Sequence, residues 1–228
     1  MQFTNNVKFL NIVAGLAAVA AVGTLTVGGA WALFSASETS GNNSFVAGTV
    51  AVGDGSSAST TCDVTGMMPG DSSAGFGSLN QALSACAYRV KYTGSASAYL
   101  AVDIAIAAPS AALPSSPALY DTSATGLQVN ISDGTSTFMN GTTFKVLDGA
   151  DTTVTAGTPV TNLLVSTTPA ATGDEFTFDI RYALPMLAPN SLQGGSATVT
   201  LTFHAVQSAN QTSDGCTAGQ QCNTITWS

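Results

Sequence analysis

The stretch Tyr99-Leu100-Ala101-Val102-Asp103-Ile104-Ala105-Ile106-Ala107 is the clearest strictly alternating run in the chain. Leu100, Val102, Ile104 and Ile106 fall on one side, and Tyr99, Ala101, Asp103 and Ala105 on the other. A period of two with β-branched residues on the apolar side predicts a half-buried β-strand. The same pattern recurs on both sides of it. Cys86 to Tyr92 places Cys86, Tyr88, Val90 and Tyr92 on one face and Arg89 and Lys91 on the other. Phe176, Phe178, Ile180 and Tyr182 share a face, as do Val199, Leu201, Phe203 and Ala205. Shorter candidates are Phe45–Val52, Leu127–Ile131, Thr143–Leu147, Val160–Val165 and Thr224–Trp227.

Turn signals separate these runs. They are Gly53-Asp54-Gly55, Met67-Met68-Pro69-Gly70-Asp71, Thr93-Gly94-Ser95, Asp133-Gly134 and Asp148-Gly149. A Ser/Thr-rich loop is expected around Cys62, and a single helical turn over Pro117–Tyr120, with proline at its start. No sustained 3.6-residue period exists beyond the chain's beginning. Eight or nine short strands with frequent turns predict an all-β fold, an antiparallel β-sandwich, and more specifically a jelly roll.

The beginning is different in kind. Lys8 precedes an apolar run from Phe9 to Val27, which ends in Gly28-Gly29-Ala30-Trp31-Ala32. A basic residue, an apolar stretch and small residues flanking Trp31 predict a signal helix over 1–32, cut between Ala32 and Leu33. An uncleaved membrane anchor is the alternative, since the run is long enough to span. In either case the rest of the chain is expected outside the cytoplasm, secreted or at the cell surface. The expected division is a signal peptide over 1–32, an N-terminal segment over 33–44 and a sandwich domain over 45–228.

Four cysteines, Cys62, Cys86, Cys216 and Cys222, fit disulfides in an exported chain. Three pairings are possible. One joins the near neighbours Cys216 and Cys222 and leaves Cys62 with Cys86. No Cys-x-x-Cys spacing occurs and the chain has one histidine, which argues against structural zinc.

Only 8% of the residues are charged, so the surface must be built from Ser, Thr, Asn, Gln and Gly. Without Lys8 there remain 4 basic and 13 acidic residues, a net charge of −9. Such a chain has no electrostatic footprint for nucleic acid or anionic lipid. Its sparse charge also offers little resistance to edge-to-edge association of copies.

Several of these pieces occur together, in order, in one family. Gly28-Gly29-Ala30-Trp31-Ala32, then Phe34-Ser35-Ala36-Ser37-Glu38-Thr39, then Asn43-Ser44-Phe45-Val46-Ala47-Gly48-Thr49-Val50 follow its cleavage region and mature start. Met68-Pro69-Gly70-Asp71, Tyr92-Thr93-Gly94-Ser95 and Leu201-Thr202-Phe203-His204-Ala205-Val206-Gln207 continue the likeness. The chain resembles the TasA–camelysin family of exported matrix and surface proteins. It departs from that family in its few charges, its four cysteines and the tail after Gln207. The resemblance implies a jelly-roll subunit that polymerises into extracellular or biofilm-matrix fibres. It implies that Leu33, Phe34, Ser35, Ala36, Ser37, Glu38 and Thr39 act as a donor strand completing the sheet of the next subunit. The implied partners are copies of the chain itself, a dedicated signal peptidase and other matrix components, with no membrane contact after cleavage.

Elementary energetics allow such assembly. From Leu33 to Gly41 no partner is evident in the local pattern. Ten strand residues give on the order of ten backbone hydrogen bonds at about 1 kcal/mol each, and burial of Leu33 and Phe34 adds roughly 1.5–3 kcal/mol apiece. Association costs roughly 4–15 kcal/mol. A head-to-tail contact of this kind propagates as a filament.

Because camelysin-type relatives include metallo-endopeptidases, a secreted peptidase is the alternative function, and a monomeric adhesin or sugar-binding module a third. A zinc peptidase needs two or three ligands and a base. His204 stands alone on a strand with Thr200 and Thr202, which reads as a polar, exposed side chain, and no His-Glu-x-x-His occurs. Asp148-Gly149-Ala150-Asp151 is too poor in ligands for calcium. Asp174-Glu175 reads as a turn, and no Gly-x-Ser-x-Gly elbow is present. No cofactor, metal site or catalytic residue is therefore expected. Trp227, Tyr88, Tyr92 and Tyr99, the only hints of an adhesin, are expected to fill the core. Sequons at Asn42, Asn130, Asn140 and Asn210 are candidate glycosylation sites.

Overall fold

The computed structural model describes residues 35–38, 52–54, 61–74, 76, 82–145 and 150–227. The strands are β1 (Ser35–Glu38), β2 (Val52–Asp54), β3 (Thr61–Thr65), β4 (Ser72–Ser73), β5 (Ala82–Leu83), β6 (Cys86–Tyr92) and β7 (Ala98–Ala107). They continue with β8 (Gln128–Ser132), β9 (Thr137–Gly141), β10 (Thr143–Lys145), β11 (Asp151–Thr153), β12 (Val160–Leu164), β13 (Glu175–Ala183) and β14 (Ser196–Gln207). The helical content of the described residues is one 3-10 turn at Asn190–Leu192.

Two antiparallel sheets follow from the pairing. One is ordered β3-β14-β7-β12, the other β6-β13-β8-β9. From β6 to β8, and again from β11 to β14, the chain changes sheet at each strand, so that β6, β8 and β13 lie in one sheet and β7, β12 and β14 in the other. This interleaving is that of a jelly roll. Four additions extend it: β1 joins the β3 edge of the first sheet, β2 the β6 edge of the second, β10 and β11 the β9 edge, and β4 pairs with the end of β13 and carries β5 in parallel.

Alternation in the sequence becomes the core between the sheets. Leu100, Val102, Ile104 and Ile106 of β7 and Val199, Leu201, Phe203 and Ala205 of β14 meet Tyr88, Val90 and Tyr92 of β6 and Phe178 and Ile180 of β13. Phe203 stacks on Tyr88 with ring centroids 5.4 Å apart and tilts against Phe178 at 5.0 Å. A second cluster lies apart from this one. Tyr99, Leu164 and Val206 are covered there by the tail residues Cys222 and Ile225, with Cys216 and Trp227 packed alongside.

The cysteines form two disulfides, Cys62–Cys86 and Cys216–Cys222. The first joins β3 of one sheet to the start of β6 of the other. The second closes a tail loop that hydrogen-bonds along β12: Leu164 N–H donates to the Gln220 carbonyl and Gly219 N–H to the Leu164 carbonyl, both at 2.8 Å. Gly219 has φ +84°, and a Cβ there would meet the Thr137 carbonyl oxygen at 2.7 Å, so the close approach of the tail requires glycine.

Several local expectations are corrected. Gly53 and Asp54 are strand residues paired with β6 instead of a turn. The expected loop around Cys62 is β3, because only Cys62 and Val64 of its five residues need to face inward. Pro117–Tyr120 forms no helical turn: Ala118 bridges to Ser196, and Tyr120 is drawn inward to donate its hydroxyl to the Val154 carbonyl. Thr224–Trp227 is not a strand. Thr224 Oγ1 donates to the Thr212 carbonyl and Thr226 N–H to Gln211 Oε1, which hold this stretch in the turns of the tail. Asp151, the last residue of the Asp148-Gly149-Ala150-Asp151 stretch, begins β11. Residues 45–51 of the first expected strand, residues 146–149 and the sequon at Asn42 lie outside the described residues.

Candidate assembly edge

β14 is twelve residues long and is the frame of the site. On one side β7 pairs with it continuously from Thr198 to Gln207. On the other side two short strands share its edge. β3 covers Ser196–Thr200, with Thr65 opposite Ser196 and Thr61 opposite Thr200. β1 covers Phe203–Val206, with Glu38 opposite Phe203 and Ser35 opposite Val206. Both run antiparallel to β14, so they lie end to end in the same direction.

The two halves of this edge are held differently. The β3 half is fastened covalently to the second sheet by Cys62–Cys86. It is also fixed by Asp63, whose Oδ1 accepts hydrogen bonds from Thr198 Oγ1 at 2.5 Å and Ser110 Oγ at 3.0 Å. Ser110 N–H donates to Ser196 Oγ at 2.9 Å. Ser110, Ser196 and Thr198 are all buried. The β1 half is a four-residue strand, joined to β2 by residues 39–51.

The segment from Leu33 to Gly41 has no partner in the local sequence pattern, and Ser35–Glu38 finds one far along its own chain. β14 extends past the reach of β3 and leaves Phe203–Val206 as an open ladder, which β1 fills within one molecule. Local patterning cannot register such a pairing, because the partners are separated by about 170 residues of sequence. Ala32, Leu33, Phe34 and Thr39, and with them the cleavage position and the ends of the donor segment, lie outside the described residues.

His204 is not the free, exposed side chain its sequence neighbours suggest. Its Nε2 lies 2.6 Å from Asp103 Oδ2 across the β14–β7 pair, with the side chains only 22% and 16% exposed. Asp103 Oδ1 also accepts from Asn162 N–H at 2.8 Å. On the second sheet, Glu175 lies 3.3 Å from Lys91 Nζ and 4.0 Å from Arg89, and Asp179 pairs with Arg181 at 3.0 Å. Tyr88 and Tyr92 are buried in the main core and Tyr99 in the second cluster. Asn130 is half-buried on β8 opposite Asn140 of β9, and Asn140 and Asn210 are exposed.

Among the described residues no three His, Cys, Asp or Glu side chains gather as a metal-binding group, and no cysteine is free. Among the described residues the donor set does not fit a peptidase zinc. The one imidazole is engaged with a carboxylate whose other oxygen already accepts a backbone N–H.

A family model described as camelysin metallo-endopeptidase matches residues 9–82. Over that stretch the chain is similar to the camelysin family. The match takes in the apolar run Phe9–Val27, β1, β2, β3 and the Met68-Pro69-Gly70-Asp71 turn. In this turn Gly70 has φ +97° and Asp71 N–H donates to the Met68 carbonyl at 3.0 Å, which is type II geometry. Comparisons with curated proteins and with solved structures found no match. Among the described residues no helix is long and apolar enough to cross a membrane.

Proposed function

We propose that this protein is the structural subunit of an extracellular filament, exported and then polymerised head to tail by exchange of its N-terminal strand. The observation that carries this reading is the divided edge of β14. Its β3 half is fastened by a disulfide, and its β1 half is filled by a four-residue strand on a separate connection. The same ladder at Phe203–Val206 accepts β1 from its own chain or from a neighbour with identical backbone pairing, which is β-strand addition by swapping. The family match supports export to the cell surface or matrix, and the low charge favours close approach of copies. Deleting Leu33–Gly41 from the secreted protein tests it. Fibres seen by negative stain in the intact protein are expected to disappear. Fibres forming at the normal rate from the shortened protein refute strand exchange.

The family description favours a second reading, a secreted metallo-endopeptidase. Casein hydrolysis by the purified protein, lost on adding a chelator and restored by zinc, would establish it.

A further inference from the structure

Among the described residues four large apolar side chains are exposed: Met68, Leu113, Met186 and Leu187, at 50%, 45%, 69% and 84%. All four lie at one pole of the sandwich. β14 enters its sheet there at Ser196, opposite the last residue of β3, Thr65. The Met68 turn is tied to the end of β13, since Gly70 N–H donates to the Leu184 carbonyl and Leu184 N–H to the Asp71 carbonyl, both at 2.8 Å. Met186 and Leu187 follow directly. Leu113 reaches the same place through its carbonyl, which accepts from Ser196 Oγ at 3.3 Å.

The loops concerned, 66–70, 108–120 and 184–195, contain no charged residue and hold six of the chain's 8 prolines. Uncharged surface rich in Met and Leu has the composition of an interface centre. Loops stiffened by proline lose little further freedom when they are covered.

The direction of β1 says what covers them. Ser35 faces Val206 at the opposite pole, and β1 runs from there toward the apolar one. In a copy that receives β1 from another molecule, the donor's body continues from Glu38 and therefore lies on the apolar side. Seven residues of β14, about 23 Å, separate Phe203, the partner of Glu38, from Ser196. The thirteen residues between Glu38 and Val52 reach about 45 Å when extended. The connection is long enough to clear the host's edge, yet short enough to hold the donor against that pole.

We propose that the pole formed by Met68, Leu113, Met186 and Leu187 is the seat of the strand-donating copy of this same chain. This inference rests on the filament reading and adds a second contact to it. The test compares the secreted protein with a Met186→Asp, Leu187→Asp double variant. Both side chains are mostly exposed, so the variant is expected to melt as the original does. Its elongation rate, followed by light scattering and pelleting, is expected to fall at least tenfold. Normal elongation of the variant overturns the seat and leaves strand exchange standing. An original protein that never polymerises overturns the filament reading and the seat with it. Vesicles of phosphatidylcholine and phosphatidylglycerol offer another occupant. Pelleting with them that the variant loses, while self-assembly is unchanged, assigns the pole to lipid and likewise refutes the proposal.

Discussion

Removing each disulfide in turn should separate the stability of the sandwich from that of its tail. Cys62 and Cys86 are 24 residues apart in sequence and stand on different sheets; Cys216 and Cys222 are 6 apart within the tail. Restricting the unfolded chain with loops of these lengths contributes about 3.5 kcal/mol and about 2.4 kcal/mol respectively in the chain-entropy treatment. Location widens the difference. Opening Cys62–Cys86 releases β3 from the second sheet and so engages the whole core, whereas opening Cys216–Cys222 loosens only the cluster over Tyr99, Leu164 and Val206. Two probes distinguish these events. Far-UV circular dichroism follows the sheets. Tryptophan fluorescence of the protein lacking residues 1–32 follows the tail, because Trp227 is its only tryptophan. In urea, Cys62→Ala with Cys86→Ala should lower the stability seen by circular dichroism by about 3.5 kcal/mol, with a larger m value because the unlinked unfolded chain is less compact. Cys216→Ala with Cys222→Ala should shift the fluorescence transition while the dichroism midpoint barely moves. A loss below about 1 kcal/mol for the first pair, or equal dichroism shifts for both, would refute the assignment of a sheet-joining staple and a local one.

Two further outcomes follow from the core. Phe203→Ala removes a ring packed between Tyr88 and Phe178; it should cost about 3–5 kcal/mol and lower the melting temperature by roughly 10 °C, measurable by calorimetry. Burial pushes the phenols of Tyr92 and Tyr120 up to about 12, with Asp121 adding to the second, and raises that of Tyr182 as well. The folded state therefore keeps protons that the unfolded chain releases above about pH 10. Stability should be insensitive to these groups below about pH 9 and fall between pH 10 and 12 by about 2 kcal/mol per pH unit from Tyr92 and Tyr120 together; urea midpoints at pH 9, 10 and 11 check the sign.

The long strands were legible because their apolar residues alternate over seven residues or more. β6, β7, β13 and β14 follow the expected runs almost to the residue, and the interleaved order of the sheets agrees with the jelly-roll expectation. β3 was passed over because the alternation of Thr61-Cys62-Asp63-Val64-Thr65 rests on only two apolar residues beside a Ser/Thr-rich stretch, which reads as loop. Thr224–Trp227 misled in the opposite sense: Ile225 and Trp227 alternate, but they cover a neighbouring sheet from within a disulfide-closed tail. The engagement of His204 with Asp103 depends on the register of β14 against β7, which places the two residues diagonally across the pair. The filling of the Phe203–Val206 ladder by β1 depends likewise on where β3 stops.

On the proposed reading, the closed monomer and the polymer make the same β1–β14 hydrogen bonds, so those bonds cannot decide between them. Tethering favours the closed form. A strand on a short connection meets its own ladder at an effective concentration of about 1 mM, whereas a neighbour at about 1 µM is a thousandfold more dilute, a handicap of about 4 kcal/mol. Something outside the ladder must offset it. Fully covering a Leu or Met side chain is worth roughly 1.5–3 kcal/mol. Met186 and Leu187 are largely exposed, and Met68 and Leu113 about half so. Together they can supply about 4–6 kcal/mol, which is the size required. On that proposal, the apolar pole is the element that turns an exchangeable strand into a growing filament. Loss of its two most exposed side chains should return the equilibrium to closed monomers without altering their fold.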